Sequence, residues 1–233
     1  MRMTTNQPTQ RGHDAGGGAH GGEHQLHGAH GGQSDHITHG HRTHHFDPAR
    51  AERLVSEERG QMLPAEEILE AAGLAAGQVV VDLGAGPGFF TLPAARMVGP
   101  KGLVYAVDVQ PQLLEMCRRR AAEAGVTGIE TVHSEESRVP LPDAVADRVF
   151  IAFVLHESDD QVAFLREARR LLKAGGEVAI VDWHKKEGTP GPPLEHRVGE
   201  DEIATLAAQV GLRPVPAEYK SENYYLARLA RAA

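Results

Sequence analysis

Beyond residue 46 the apolar positions fall into two spacings that replace each other along the chain. Short apolar runs at 79–83, 103–107, 129–132, 148–153 and 177–181, most of them rich in valine or isoleucine, have the length and composition of buried strands. Between them apolar residues recur every three or four positions, which predicts helices with one buried stripe. A short, highly charged helix is predicted over 48–59. Pro64 opens the next, with Ile68, Leu69 and Ala72 on one face and Gly73 just past its end. Residues 89–97 have helical spacing, interrupted early by Pro93. Pro111 opens a helix carrying Leu113, Leu114, Cys117 and Ala121, closed by Gly125. Ser158 or Asp159 is the predicted cap of a helix whose buried side is Phe164, Leu165, Ala168, Leu171 and Leu172, stopped by Gly175-Gly176. A last helix carries Ile203, Leu206 and Val210, followed by strands at 212–215 and 224–229.

Strand, helix and strand repeated in this way predict an α/β fold, a mostly parallel sheet with helices on both faces. The final two strands have almost no helix between them, so they are expected as an antiparallel hairpin at an edge. There is no internal repeat.

Residues 1–46 break the pattern. They are rich in Gly and His, with Leu26, Ile37 and Phe46 the clear large apolar exceptions. Such a segment cannot bury enough surface to offset its chain entropy, which predicts a disordered tail before a domain at 47–233. Ten of the chain's 14 histidines lie in it: His13, His20, His24, His27, His30, His36, His39, His41, His44 and His45. Neutral imidazoles suit Zn, Ni, Cu or Co, so this tail is a candidate site for a divalent transition metal, bound weakly and without selectivity, through His20, His24, His27, His30, His36, His39, His41, His44 and His45. A solubilising extension with no ligand is the plainer reading. No cysteine accompanies them, against a closed structural zinc site.

Composition narrows the field further. Hydrophobic content of 41% is ordinary for a globular domain. No stretch of 18 apolar residues spans a membrane, and no secretory signal pattern opens the chain, which predicts a cytoplasmic protein. A single cysteine excludes an internal disulfide. The net charge of −8 argues against a nucleic-acid partner, and Arg118-Arg119-Arg120 reads as a solvated helix end.

The chemistry concentrates after the first long strand, in Asp82-Leu-Gly-Ala-Gly-Pro-Gly88. Glycines there allow a tight turn and let a ligand approach the backbone, and the following helix N-terminus offers amides to a carboxylate. A dinucleotide fingerprint wants glycine or alanine at position 89, where this chain has Phe89, which argues against a pyrophosphate. Asp82 sits where it meets the amino end of an amino acid. Asp108 ends the second strand, 24 residues after Gly84, where a carboxylate accepts from ribose hydroxyls. The ligand implied is a nucleoside carrying an amino acid. The bland alternative is a turn and a helix cap.

These residues resemble the class I S-adenosylmethionine-dependent methyltransferases, in particular the small-molecule group similar to the ubiquinone/menaquinone-biosynthesis methyltransferases. Val79-Val-Val-Asp-Leu-Gly-Ala-Gly-Pro-Gly88 is similar to the family's first motif and Val104-Tyr-Ala-Val-Asp108 to its ribose-binding strand. Val139-Pro-Leu-Pro-Asp143, Asp147-Arg-Val149, Val154-Leu-His-Glu157 and Leu171-Leu-Lys-Ala-Gly-Gly176 resemble later family segments, with Ala174 where proline is usual. The resemblance implies a Rossmann-like sheet of seven strands in the order 3-2-1-4-5-7-6, strand 7 antiparallel, and S-adenosylmethionine as cofactor. It implies that Asp82, Gly84, Ala85, Gly86 and Gly88 hold the methionine end and that Asp108 with Val109 holds the ribose. Glu135 and Glu136 fall at the adenine, and Ala152 and Phe153 at the tip of the fourth strand.

A sulfonium is already an activated methyl donor. The protein must then align a small-molecule acceptor in line with it and exclude water, which is worth roughly 7–11 kcal/mol. An oxygen or nitrogen nucleophile adds the need for a base, for which His156, Glu157, Asp182 and His184 are the candidates near the strand tips. Trp183 is a candidate wall of the acceptor pocket, and residues 191–197 read either as an acceptor loop or as a connector. Arsenite methylation lacks its cysteines here. The alternative from a different class is a metal-binding protein that uses the His-rich tail on a non-catalytic methyltransferase-like domain. Acceptor and oligomeric state stay open.

Overall fold

The computed structural model describes residues 48–135 and 138–232. The tail histidines and Glu136 therefore lie outside the described residues. Seven strands form one sheet: β1 (Val79–Leu83), β2 (Leu103–Asp108), β3 (Ile129–His133), β4 (Ala146–Ala152), β5 (Leu172–Trp183), β6 (Leu212–Val215) and β7 (Tyr224–Arg231). Their order is β3-β2-β1-β4-β5-β7-β6. β1 to β5 pair in parallel, and β7 runs antiparallel to both β5 and β6. Order and direction are those the resemblance implied. The predicted terminal hairpin forms, yet of its two strands only β6 lies at the edge, because β7 inserts between it and β5.

Alternation along the strands assigns the two faces. Val81, Leu83, Val107, Val149 and Ile151 pack with α5 (Gln161–Leu171) and α6 (Glu200–Gln209). Val80, Val104, Phe150, Ala179 and Val181 pack with α2 (Ala65–Ala71) and α3 (Thr91–Val98). Α4 (Pro111–Glu123) adds Leu114, Cys117 and Ala121 against Ala106 and Leu92. Each side chain of this size, fully buried, stabilises by roughly 1.5–3 kcal/mol, so a sheet covered on both sides is held from both sides.

Several boundaries differ from the sequence expectation, three of them for an evident local reason. The charged segment is not one helix: a 3-10 helix at Pro48–Val55 is followed by a separate α1 (Glu57–Met62). Ser56 separates them, because its hydroxyl accepts from Arg59 N at 3.2 Å and caps the new helix. The cap of α5 is Asp160, not Ser158 or Asp159; its carboxylate accepts from Ala163 N at 2.8 Å. A 3-10 turn at Leu155–Glu157 and an extended Ser158 consume the intervening chain. Β5 begins at Leu172, with a register shift opposite Ala146 and Arg148. Gly175 supplies a positive φ of 79° there, and a Cβ on Gly176 would stand 3.0 Å from Asp147 O.

Candidate active site

Parallel strands direct their carboxyl ends to one rim, where β1, β2 and β4 form a cleft open to solvent at its mouth. Asp82, Gly84, Ala85, Gly86, Asp108, Val109, Ala152 and Phe153 line it, as do Gln110, Ser134 and Glu157. Leu54 and Arg59 from the strap formed by the 3-10 helix and α1 line it from outside the sheet.

The wall from β1 and β2 is mostly backbone. Gly84 has φ +84° and lies so close to Val154 that a Cβ would come 2.5 Å from its Cγ2. Gly84 N and Ala85 N both donate to Val107 O, at 2.8 and 2.9 Å, and Gly88 N donates to Ala85 O at 3.0 Å. Asp108 binds the loop to its own strand: Oδ2 accepts from Gly86 N and Oδ1 from Gln110 N, each at 2.8 Å. Gly86, at φ +53°, faces space, its nearest neighbour being Leu54 Cδ1 at 3.9 Å from a built Cβ. Asp82 is 3% exposed and accepts from Thr91 Oγ1. Burial pushes its carboxyl up to about 7 against the pull of the Thr91 hydrogen bond, and the nearby Asp108 charge pushes the same way.

The opposite wall is side chains. Phe153 holds a positive φ of 58°, a costly conformation for an aromatic residue, and packs on Trp183 with ring centroids 4.6 Å apart. Beyond it, Glu157 turns into the cleft, and burial pushes its carboxyl up to about 7; His156 opposes this while Asp182 and Asp108 add to it. The His156 side chain is 8% exposed and donates through Nδ1 to Asp182 Oδ1 at 2.7 Å, which leaves Nε2 4.0 Å from Glu157 Oε1. Desolvation favours the neutral imidazole, and the hydrogen bond and charge of Asp182 outweigh it to raise the His156 pKa. Asp182 is 1% exposed; its Oδ1 also accepts from Trp183 N, and its Oδ2 has no hydrogen-bond partner.

The structure brings together most of the residues singled out from the sequence, though not all on the cleft surface. Gly88 sits behind the loop, where a Cβ would meet Cys117 Sγ at 2.6 Å. Glu135 is exposed and pairs through its backbone with Arg138; the buried Ser134 takes the place at the rim. His184 is turned away, with Nε2 3.1 Å from Ser221 O and Nδ1 3.6 Å from Glu200. Trp183 backs Phe153 rather than lining the cleft, and residues 191–197 fold beside it around Arg197. That guanidinium donates to Pro192 O, His184 O, Lys186 O, Thr189 O and Thr189 Oγ1. Sequence reasoning missed Leu54, Arg59 and Ser134; nothing in a charged N-terminal stretch signals that it crosses the cleft. Among the described residues no cluster of His, Cys, Asp or Glu is placed to hold a metal ion, and no helix is long and apolar enough to cross a membrane.

Comparison with known proteins places this geometry. A methyltransferase domain model matches residues 81–180. The ubiquinone/menaquinone biosynthesis C-methyltransferase UbiE of Enterobacter sp. strain 638 is 34% identical over 118 residues, 50% of this chain and 47% of that protein. The chain thus spans about half the length of the curated relatives it matches. A SAM dependent methyltransferase from Aquifex aeolicus is 33% identical in its crystal structure, with a TM-score of 0.75 over 79% of this chain and 98% of that one. CrArsM, an arsenic (III) S-adenosylmethionine methyltransferase from Chlamydomonas reinhardtii, is 25% identical with a TM-score of 0.55, over 69% of this chain and 65% of that one.

Proposed function

The chain belongs to the class I S-adenosylmethionine-dependent methyltransferases, and from that premise we propose that it methylates a small-molecule acceptor by in-line displacement. The observation that carries this reading is one cleft lined both by the carboxylates Asp82 and Asp108 around an open Gly86 and by the half-buried acid Glu157. The residues present fit the cofactor. Gly86 leaves room beside the backbone, and Asp82, pushed up to about 7 by burial, gains from any cation brought to it. When bound, the sulfonium supplies an activated methyl carbon.

Asp82 with Gly84, Ala85 and Gly86 would hold the amino-acid end, with Gly88 setting the loop's depth. Asp108 and Val109 would hold the ribose, Ser134 with Glu135 and Glu136 the adenine side, and Ala152 and Phe153 the floor. Glu157 would take the proton that an oxygen or nitrogen acceptor loses. His156 and Asp182 position it and share that charge, while His184 lies outside the arrangement. The curated relatives are named for C-methylation in quinone biosynthesis, but they share only half of this chain, so their acceptor is not carried over.

Calorimetric titration with S-adenosylmethionine, followed by mass spectrometry of products formed from labelled donor in a cell extract, tests the reading. Binding of a nicotinamide dinucleotide and no sulfonium nucleoside would sink it. The ten tail histidines support a second, separate reading, retention of Ni or Zn. That reading fails if removal of residues 1–46 leaves metal binding unchanged.

A further inference from the structure

The amino-acid end of a sulfonium nucleoside carries an ammonium and a carboxylate. The first wall of the cleft serves the ammonium well and the carboxylate poorly. The amides of Gly84 and Ala85 are taken by Val107 O of β2, that of Gly86 by Asp108 and that of Gly88 by Ala85 O, and Pro87 has none. The ionisable groups beside them, Asp82 and Asp108, are themselves acids.

Arg59 is the cation on the cleft surface among the described residues. Its guanidinium carbon lies 5.3 Å from the centroid of Phe89 and 5.4 Å from that of Phe153, so two rings hold its plane. Its Nε is buried with no hydrogen-bond partner, and the charge that acts on it from within the cleft is that of Glu157. Phe89 directly follows the glycine loop and Phe153 directly follows β4. Arg59 therefore stands at the end of the cleft assigned to the methionine, not at the end marked by Ser134. A planar guanidinium fixed between two rings suits bidentate recognition of a carboxylate, which a lysine would meet only as a point charge.

We propose that Arg59 is the subsite for the donor's carboxylate, so that the strap selects a sulfonium nucleoside whose amino-acid group is intact. The inference rests on the cleft being the donor site. Leu63, buried to 1% immediately after α1, anchors the strap to the body, so recognition at Arg59 also ties the strap down over the donor.

The test compares S-adenosylmethionine with decarboxylated S-adenosylmethionine, which lacks only the carboxylate, on full-length protein and on Arg59→Met and Arg59→Lys. The wild type is expected to bind the intact donor about 10- to 100-fold more tightly, the range for hydrogen bonds to a charged group. Arg59→Met should remove that preference by weakening the intact donor alone, and Arg59→Lys should keep part of it. Equal weakening of both donors in Arg59→Met would make Arg59 a packing residue and overturn the proposal. A wild type that binds both donors equally overturns it too and leaves the donor reading standing. A wild type that binds neither overturns both.

Discussion

The two walls of the cleft are built in opposite ways. The wall from β1 and β2 comes from two short stretches of chain, around Asp82 to Thr91 and Asp108 to Gln110, and its shape is set by backbone hydrogen bonds and positive-φ glycines. The facing wall gathers Leu54, Arg59, Phe153 and Glu157 from distant parts of the sequence, and behind Glu157 stand His156 and Asp182. The first wall is a rigid cast in which an atom added at Gly84 or Gly88 has nowhere to go. The second is a set of separate side chains, each changeable by itself. Damage to the first should therefore appear as lost folding or lost donor affinity, and damage at Glu157 in the second as lost turnover.

The sharpest break of that contrast is Gly84→Ala. It combines a strained positive φ with a Cβ 2.5 Å from Val154 Cγ2, and should cost about 3 kcal/mol of stability, read from the midpoint of denaturant unfolding. Next comes Glu157→Gln, expected to lower kcat about 100-fold with little change in donor Kd, as fits the loss of an acid–base group. A matching loss of donor affinity would erase the division between the walls. Asp108→Asn replaces a carboxylate that accepts from two backbone amides, and should weaken donor binding by about tenfold or more while leaving the proton chemistry intact.

Smaller in size, and diagnostic in sign, is the effect of pH. Asp82 and Glu157 are both raised to about 7 in the folded chain, above their ordinary values. Between about pH 5 and 7 the folded state then binds more protons than the unfolded state, so stability contributed by these acids falls as pH rises and levels off above 7. His156, raised by Asp182, acts in the same direction above its ordinary value. Donor affinity should move oppositely, since a cation favours the ionised carboxylates. Glu157→Gln should flatten the stability slope in thermal melts across this range. The smallest effect expected is that of Gly86→Ala, about 1 kcal/mol, because a Cβ there meets only Leu54 at 3.9 Å.

The same contrast explains what could be read from the sequence. Strands β1, β2 and β4 were legible because two-sided burial demands continuous apolar runs, and the glycine loop because positive φ at Gly84, Gly86 and Gly88 is a local demand on residue type. The strand order came from resemblance, since local pattern does not specify which strands adjoin. Arg59 was illegible: its neighbours Phe89 and Phe153 are about 30 and 90 residues away, and its own helix buries no residue. Ser134 at the cleft rim was passed over beside Glu135, because one step along an extended chain reverses the direction a side chain points. Trp183, expected as a wall of the acceptor pocket, ends a strand longer than the sequence pattern predicts and stands behind the ring of Phe153.

Cys117 is pressed against Gly88 from behind, and burial, with the Asp82 charge, pushes its thiol up to about 11. A thiol so protonated and enclosed is almost inert to alkylating reagents while the glycine loop is closed. Being the chain's single cysteine, it turns that chemistry into a clock. The speed at which a maleimide finds it counts the moments when the loop lifts, and a ligand that fastens the loop should slow the count without any label having been added to the protein.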